Sequence, residues 1–201
     1  FEGYVGDECQ YTVCYDLVDT DPYICSGHGA CNAPDSCSCA DGYNGSECNI
    51  TICYSVNETS SDVCSGHGEC VAPNNCTCEE GYTDEECSTS ICYGINGTAD
   101  DVCSGHGVCT APDNCLCDDK YTGHECDVVI CFNINATVAG VCSGHGECVA
   151  PDNCTCEEEY TGHECNLNIC FGLNETSTDV CSGHGVCIAS NNCSCTDGYE
   201  G

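Results

Sequence analysis

The sequence predicts a small disulfide-rich fold: a string of short modules, each with short two-stranded β-hairpins, following one another as an extended rod. Three observations lead there. Thirty of the 201 residues are cysteine, far above the level of an ordinary globular chain. The pentapeptide CSGHG recurs at Cys25, Cys64, Cys103, Cys142 and Cys181, always 39 residues apart, the mark of an array of like units. Material for a packed core is scarce: no Trp, no Met and three Phe. A unit of this length cannot fold on apolar burial alone.

The cysteine spacing defines the units. Cys53, Cys64, Cys70, Cys76, Cys78 and Cys87 form one set of six, and a shift of 39 residues reproduces it along the chain. Complete sets span 14–48, 53–87, 92–126 and 131–165. A fifth occupies 170–201 and lacks its sixth cysteine, while residues 1–13 hold Cys9, the last member of an upstream set, and a linker. The expectation is a window on a longer protein, with Cys9 and Cys195 unpartnered.

Within each unit, Gly, Asn, Asp, Ser and Pro fill the gaps between cysteines and predict turns, not helices. The CxC pair in NCTCEEGYT (75–83) alternates as an extended strand does. In SGHG the glycines permit a tight backbone path. His28, His67, His106, His145 and His184 are then expected to sit on that turn as hydrogen-bonding residues. Pro34, Pro73, Pro112 and Pro151 stiffen the next turn, with Ser190 in their place in the fifth copy.

Charge narrows the function. Thirty-four acidic residues face the single cation Lys120, a net charge of −33. Such a chain repels phosphate backbones and anionic lipid, so neither nucleic acid nor direct membrane insertion of this segment is expected. Loosely held divalent cations are. No apolar run reaches membrane-spanning length.

What the cysteines do decides the class. Cys64 and His67 stand at a spacing found in zinc sites, and CxC suits thiolate clusters. Thiolate clusters, however, need a cation-rich chain, and this one is anionic. CxxC is absent, and no basic residue directly adjoins a cysteine to activate a thiol. An oxidising compartment has independent support. Asn57, Asn96, Asn135 and Asn174 head N-x-S/T sequons at one phase of the repeat. Further sequons, weaker as a pattern, begin at Asn44, Asn49, Asn75, Asn153 and Asn192. Covalent bridges and N-glycans in an extracellular, secreted or cell-surface protein are the consistent reading.

Six cysteines in this order, with CSGHGxC, then CxC, then GYxGxxC, resemble tandem epidermal-growth-factor-like (EGF-like) repeats of the tenascin and teneurin type. The cysteine count alone leaves fifteen pairings per unit. The resemblance implies first–third, second–fourth and fifth–sixth. In the first unit these are Cys14–Cys31, Cys25–Cys37 and Cys39–Cys48, and in the second Cys53–Cys70, Cys64–Cys76 and Cys78–Cys87. The third has Cys92–Cys109, Cys103–Cys115 and Cys117–Cys126, and the fourth Cys131–Cys148, Cys142–Cys154 and Cys156–Cys165. Cys170–Cys187 and Cys181–Cys193 complete the fourteen.

Departures from the family matter as well. Calcium-binding members carry acidic and amide residues before the first cysteine. QYTV, NITI, STSI, DVVI and NLNI lack that cluster, so no specific metal site is expected. The residues before the third cysteine, Ala30, Glu69, Val108, Glu147 and Val186, exclude the family's O-fucose site. Thr83, Thr122 and Thr161 match its O-GlcNAc-type site in part. Lys120 and Glu159 replace an expected Gly, so their loops are expected to differ in backbone angle. The four-residue linkers are expected to pack beneath the preceding tyrosines Tyr43, Tyr82, Tyr121 and Tyr160.

No catalytic constellation and no cofactor beyond covalent N-glycans is expected, because carboxylates on solvated loops have little cause to shift. Two readings of function follow. One is a structural glycoprotein forming a rod or fibril of matrix or cell coat, by self-association or with other extracellular glycoproteins. The other is the stalk or ligand-binding repeats of an adhesion protein or receptor. Near-identity of the units favours the first.

Overall fold

A computed structural model describes residues 2–200. The chain divides into two compact units, Phe1–Thr98 with Ala111–Asp113 and Ala99–Thr110 with Asn114–Gly201. Both are built from the same pieces.

Take the second module, in the first unit. Linker strand Ile50–Cys53 runs into Tyr54 and Ser55, both left-handed at φ 50° and 70°, and returns as Val56–Asn57. Two consecutive positive φ values make the tight hairpin turn whose twist matches that of the strands. An aromatic residue rarely takes such an angle. The Tyr54 N–H compensates by donating to Asn74 Oδ1 at 2.8 Å. Asp35, Asp113, Asp152 and Asn191 accept the corresponding amides of Tyr15, Tyr93, Phe132 and Phe171.

Next, Val63–Gly66 forms a tight turn in which Cys64 and Ser65 are left-handed at φ 50° and 56°. Gly66 continues that run at φ 77°. The second glycine serves differently. Gly68 has ordinary φ, but a Cβ there would lie 2.6 Å from the Thr77 carbonyl oxygen and 2.8 Å from Cys87 Sγ. It opens the hairpin Gly68–Ala72 with Asn75–Cys78, where Cys70 opposes Cys76.

The segment after the CxC does not prolong that hairpin. Tyr82–Thr83 pairs instead with the following linker, Tyr82 opposite Ser90 and Thr83 opposite Thr89. Linker strand Thr89–Cys92 pairs on its other side with Ile95–Asn96. Besides its two-stranded hairpin, each joint therefore carries a three-stranded sheet whose middle strand is the linker. The linker engages the preceding tyrosine segment through strand pairing, with Ile52 N–H donating to the Gly42 carbonyl at 2.8 Å and Ile91 N–H to Gly81 at 2.7 Å. In the second unit, Ile130 N–H donates to Lys120 and Ile169 N–H to Glu159 in the same way.

The buried interior is mostly sulfur. Every fully buried side chain among the described residues is a cysteine, and the Ile or Val before the second cysteine (Ile24, Val63, Val102, Val141, Val180) is buried as well. Bridges span sequence separations of 17, 12 and 9 residues. Loops of that size contribute roughly 2.5–3 kcal/mol each by constraining the unfolded chain. The Cα–Cα distances of 5.9, 5.8 and 5.3 Å lie in the ordinary range for a bridge.

The two replaced glycines behave differently. Lys120 keeps the left-handed conformation at φ 75°, close to Gly42 and Gly81 at 87° and 91°. Glu159 is outside the left-handed region, so only its loop has the altered backbone angle expected of both.

Candidate functional site

Bridges in the first unit join Cys14 to Cys31, Cys25 to Cys37, Cys39 to Cys48, Cys53 to Cys70, Cys64 to Cys76 and Cys78 to Cys87. The second unit holds Cys103–Cys115, Cys117–Cys126, Cys131–Cys148, Cys142–Cys154, Cys156–Cys165, Cys170–Cys187 and Cys181–Cys193. Cys92 and Cys109 are disulfide-bonded as well. Cys9 and Cys195 are free and exposed. Cys14, Cys25 and Cys37 bring their sulfurs within 4.8 Å of one another, as do the corresponding trios. Such a trio belongs to two stacked bridges, and bridged sulfur is not the thiolate that ligates metal.

The histidines take a role the sequence reading missed. His67 lies flat on Tyr82, ring centroids 3.8 Å apart and planes 7° apart. His28 does the same on Tyr43, His106 on Tyr121, His145 on Tyr160 and His184 on Tyr199. What fixes each turn is the main chain: His67 N–H donates to the Cys64 carbonyl, and the His67 carbonyl accepts from Glu79 N–H at 2.8 Å. The stack ties the first half of a module to the tyrosine strand that pairs with the next linker.

The sequon loops carry the other recurrent geometry. Asn57 Oδ1 accepts both the Thr59 amide, at 2.9 Å, and the Thr59 hydroxyl, at 2.8 Å. The same closed loop forms between Asn96 and Thr98, Asn135 and Thr137, and Asn174 and Thr176. In each, a single turn joins the asparagine to the hydroxyl residue of its sequon. The remaining sequons sit differently. Asn75, Asn153 and Asn192 begin hairpin strands, Asn44 ends the strand Tyr43–Asn44, and Asn49 is exposed just ahead of a linker strand. Thr83, Thr122 and Thr161 are half-buried second residues of the tyrosine strands.

Electrostatics at the joints is local. Asp84 Oδ1 accepts the amides of Glu86 and Ser88, and Oδ2 the hydroxyls of Ser88 and Thr89. The Thr89 and Ser88 hydrogen bonds hold its carboxyl far below the usual carboxylate range. Lys120 Nζ reaches Asp152 Oδ2 at 2.9 Å, and with the Phe132 amide it lowers the Asp152 carboxyl. Asn168 lowers Glu175 by a side-chain and a backbone hydrogen bond. Tyr54 is raised, chiefly by desolvation and then by Glu85 and Glu86.

Comparison with known families agrees with this architecture. The family model described as Teneurin-like EGF domain matches residues 22–51, 99–129 and 138–168. The model described as Platelet endothelial aggregation receptor 1-like, EGF domain matches 55–99. No curated protein matches the chain.

Proposed function

The chain is a run of tandem EGF-like repeats of the teneurin type, and on that premise we propose that it is a structural extracellular glycoprotein, a bridged and N-glycosylated rod or fibril of matrix or cell coat. Repeats of this kind, with so many disulfides, mark an extracellular or secreted domain, and are typically non-enzymatic structural modules. Among the described residues no helix is long and apolar enough to cross a membrane.

The observation that carries the reading is the sequon loop: Asn57, Asn96, Asn135 and Asn174 recur every 39 residues, each closed on its own threonine. That regularity supports N-glycans as a periodic coat, with self-association or other extracellular glycoproteins as partners. Loosely held divalent cations would screen the net charge of −33. The test is mass before and after enzymatic glycan removal, with imaging of the native material. Glycans on these four asparagines and laterally ordered fibres support the proposal. An unchanged mass, or isolated stalks bearing a globular head, overturns it.

A second reading is the stalk or ligand-binding region of a cell-surface adhesion protein or receptor. It is favoured by one observation, the match of residues 55–99 to an EGF domain named for a receptor. Imaging separates the two.

A further inference from the structure

Two Asn–Gly dipeptides occur in the chain, Asn44–Gly45 and Asn96–Gly97. Their chemistry is the same and their geometry is not. When a base removes the glycine amide proton, the nitrogen can attack the side-chain amide carbon of the preceding asparagine. Ammonia leaves and a five-membered succinimide closes. Water then opens the ring at either carbonyl, giving aspartate or isoaspartate. The net reaction consumes one water, releases one ammonia and leaves one more negative charge.

At Asn96 both reactants are held. Gly97 N–H donates to the Ser90 carbonyl at 2.9 Å, within the joint sheet. Asn96 Oδ1 is fixed by the amide and hydroxyl of Thr98, at 2.9 and 2.7 Å. At Asn44 the restraint is reversed. Gly45 N–H donates to Asn44 Oδ1 itself, at 2.8 Å, so the nucleophilic nitrogen already rests beside the carbonyl it would attack. Asn44 is exposed to solvent and base.

We propose that Asn44–Gly45 is a site of spontaneous deamidation and isomerisation, from which the fold protects Asn96–Gly97. The position gives the reaction structural weight. Asn44 opposes Ile50, and Tyr43 opposes Thr51, in the ladder that joins the first module to the second. Isoaspartate adds one methylene to the backbone at Asn44 and displaces that two-pair register. The product is a chain loosened at this joint.

The test uses the full-length chain produced in a host that attaches no N-glycans and folded oxidatively, so that both Asn–Gly dipeptides and the Thr98 restraint on Asn96 remain. It is incubated in mildly alkaline heavy-oxygen water, and peptide mapping reads label incorporated at each site. Conversion at Asn44 is expected to be roughly tenfold faster than at Asn96, the rate equivalent of one backbone hydrogen bond that must open first. In the reduced, denatured chain the two rates should converge. Equal rates in the folded chain, faster conversion at Asn96, or a difference that survives denaturation each overturns the proposal. So does an N-glycan found on Asn44 in nearly all native molecules, since a substituted amide cannot leave as ammonia.

Discussion

Asp84 holds Ser88 with both of its carboxylate oxygens, Oδ1 on the amide at 3.0 Å and Oδ2 on the hydroxyl at 2.7 Å. At the Gly6 joint the two positions trade roles: Gln10, at the Ser88 position, accepts the Glu8 amide with Oε1 at 3.0 Å. Gly45, Gly123 and Gly162 stand where Asp84 does, and Asn49, Asp127 and Asn166 stand at the Ser88 position with a side-chain oxygen folded back over the glycine. The acceptor has changed places while the loop has kept its form. Asp84→Gly alone should therefore leave the Ser88 and Glu86 amides unprotected in hydrogen exchange. The double change Asp84→Gly with Ser88→Asn should restore protection at this joint. Failure of the second change to rescue the first would show that the two positions are not exchangeable.

The same carboxylate sets a pH limit. Asp84 is depressed below its ordinary value of 3.8, first by the Thr89 and then by the Ser88 hydrogen bonds. A group depressed in the folded state stabilises it fully above the unfolded value and progressively less below it, the contribution vanishing once the pH passes under the folded value. Protection of the Ser88 amide should be constant down to about pH 4 and then fall. An Asp84→Asn chain should lack that inflection. Exchange rates measured against pH check both.

Replacing His67 by Ala removes its stack on Tyr82. The expected loss is about 0.5–1.5 kcal/mol beyond the area uncovered, read as a lower thermal midpoint of a chain with all bridges intact. His67→Phe should recover most of it. If only hydrogen bonding by the imidazole mattered, Phe would be as poor as Ala.

Gly68→Ala should be severe, because its new Cβ would meet the Thr77 carbonyl, Cys87 Sγ and the Cys78 Cα, at 2.6, 2.8 and 3.2 Å. None of these is a flexible chain end. Overpacking of this kind costs about 1–3 kcal/mol, and here it presses on the last bridge of the module. Counting free thiols after oxidative folding should find Cys78 and Cys87 unpaired in part of the material.

Lys120→Gly should leave the thermal midpoint unchanged. A glycine suits the φ of 75° found there, and an exposed ion pair such as that with Asp152 is screened by solvent. The Asp152 carboxyl should rise toward its ordinary value of 3.8, because Lys120 is the first cause of its depression. Side-chain titration by NMR reads this directly.

The sequence showed the module period, the turn-rich loops and the sequon register because each is written in residue type at fixed spacing. The bridges came from a resemblance, since spacing alone leaves fifteen choices. The His67–Tyr82 stack was not legible. Fifteen residues separate the two, and a histidine between glycines reads as a turn residue until the hairpin folds the rings together. Asn74 and its counterparts were equally hidden, passing as turn formers after proline while capping the strained Tyr54 amide. The Asp84–Ser88 exchange also went unread, although Gly45 and Asn49 become Asp84 and Ser88 39 residues later.

The bridge pattern also decides how a module bears tension. Pulled through its first and sixth cysteines, the first module carries load from Cys14 across to Cys31, along the backbone to Cys39, and across again to Cys48. Residues 15–30 and 40–47 hang beside that path as slack that cannot be drawn out while sulfur holds. In the second module the equivalent slack loop bears Asn57. Between modules the load would therefore run through the linker backbone alone, residues 49–52 between the first and second, and would leave whatever that loop carries unstrained.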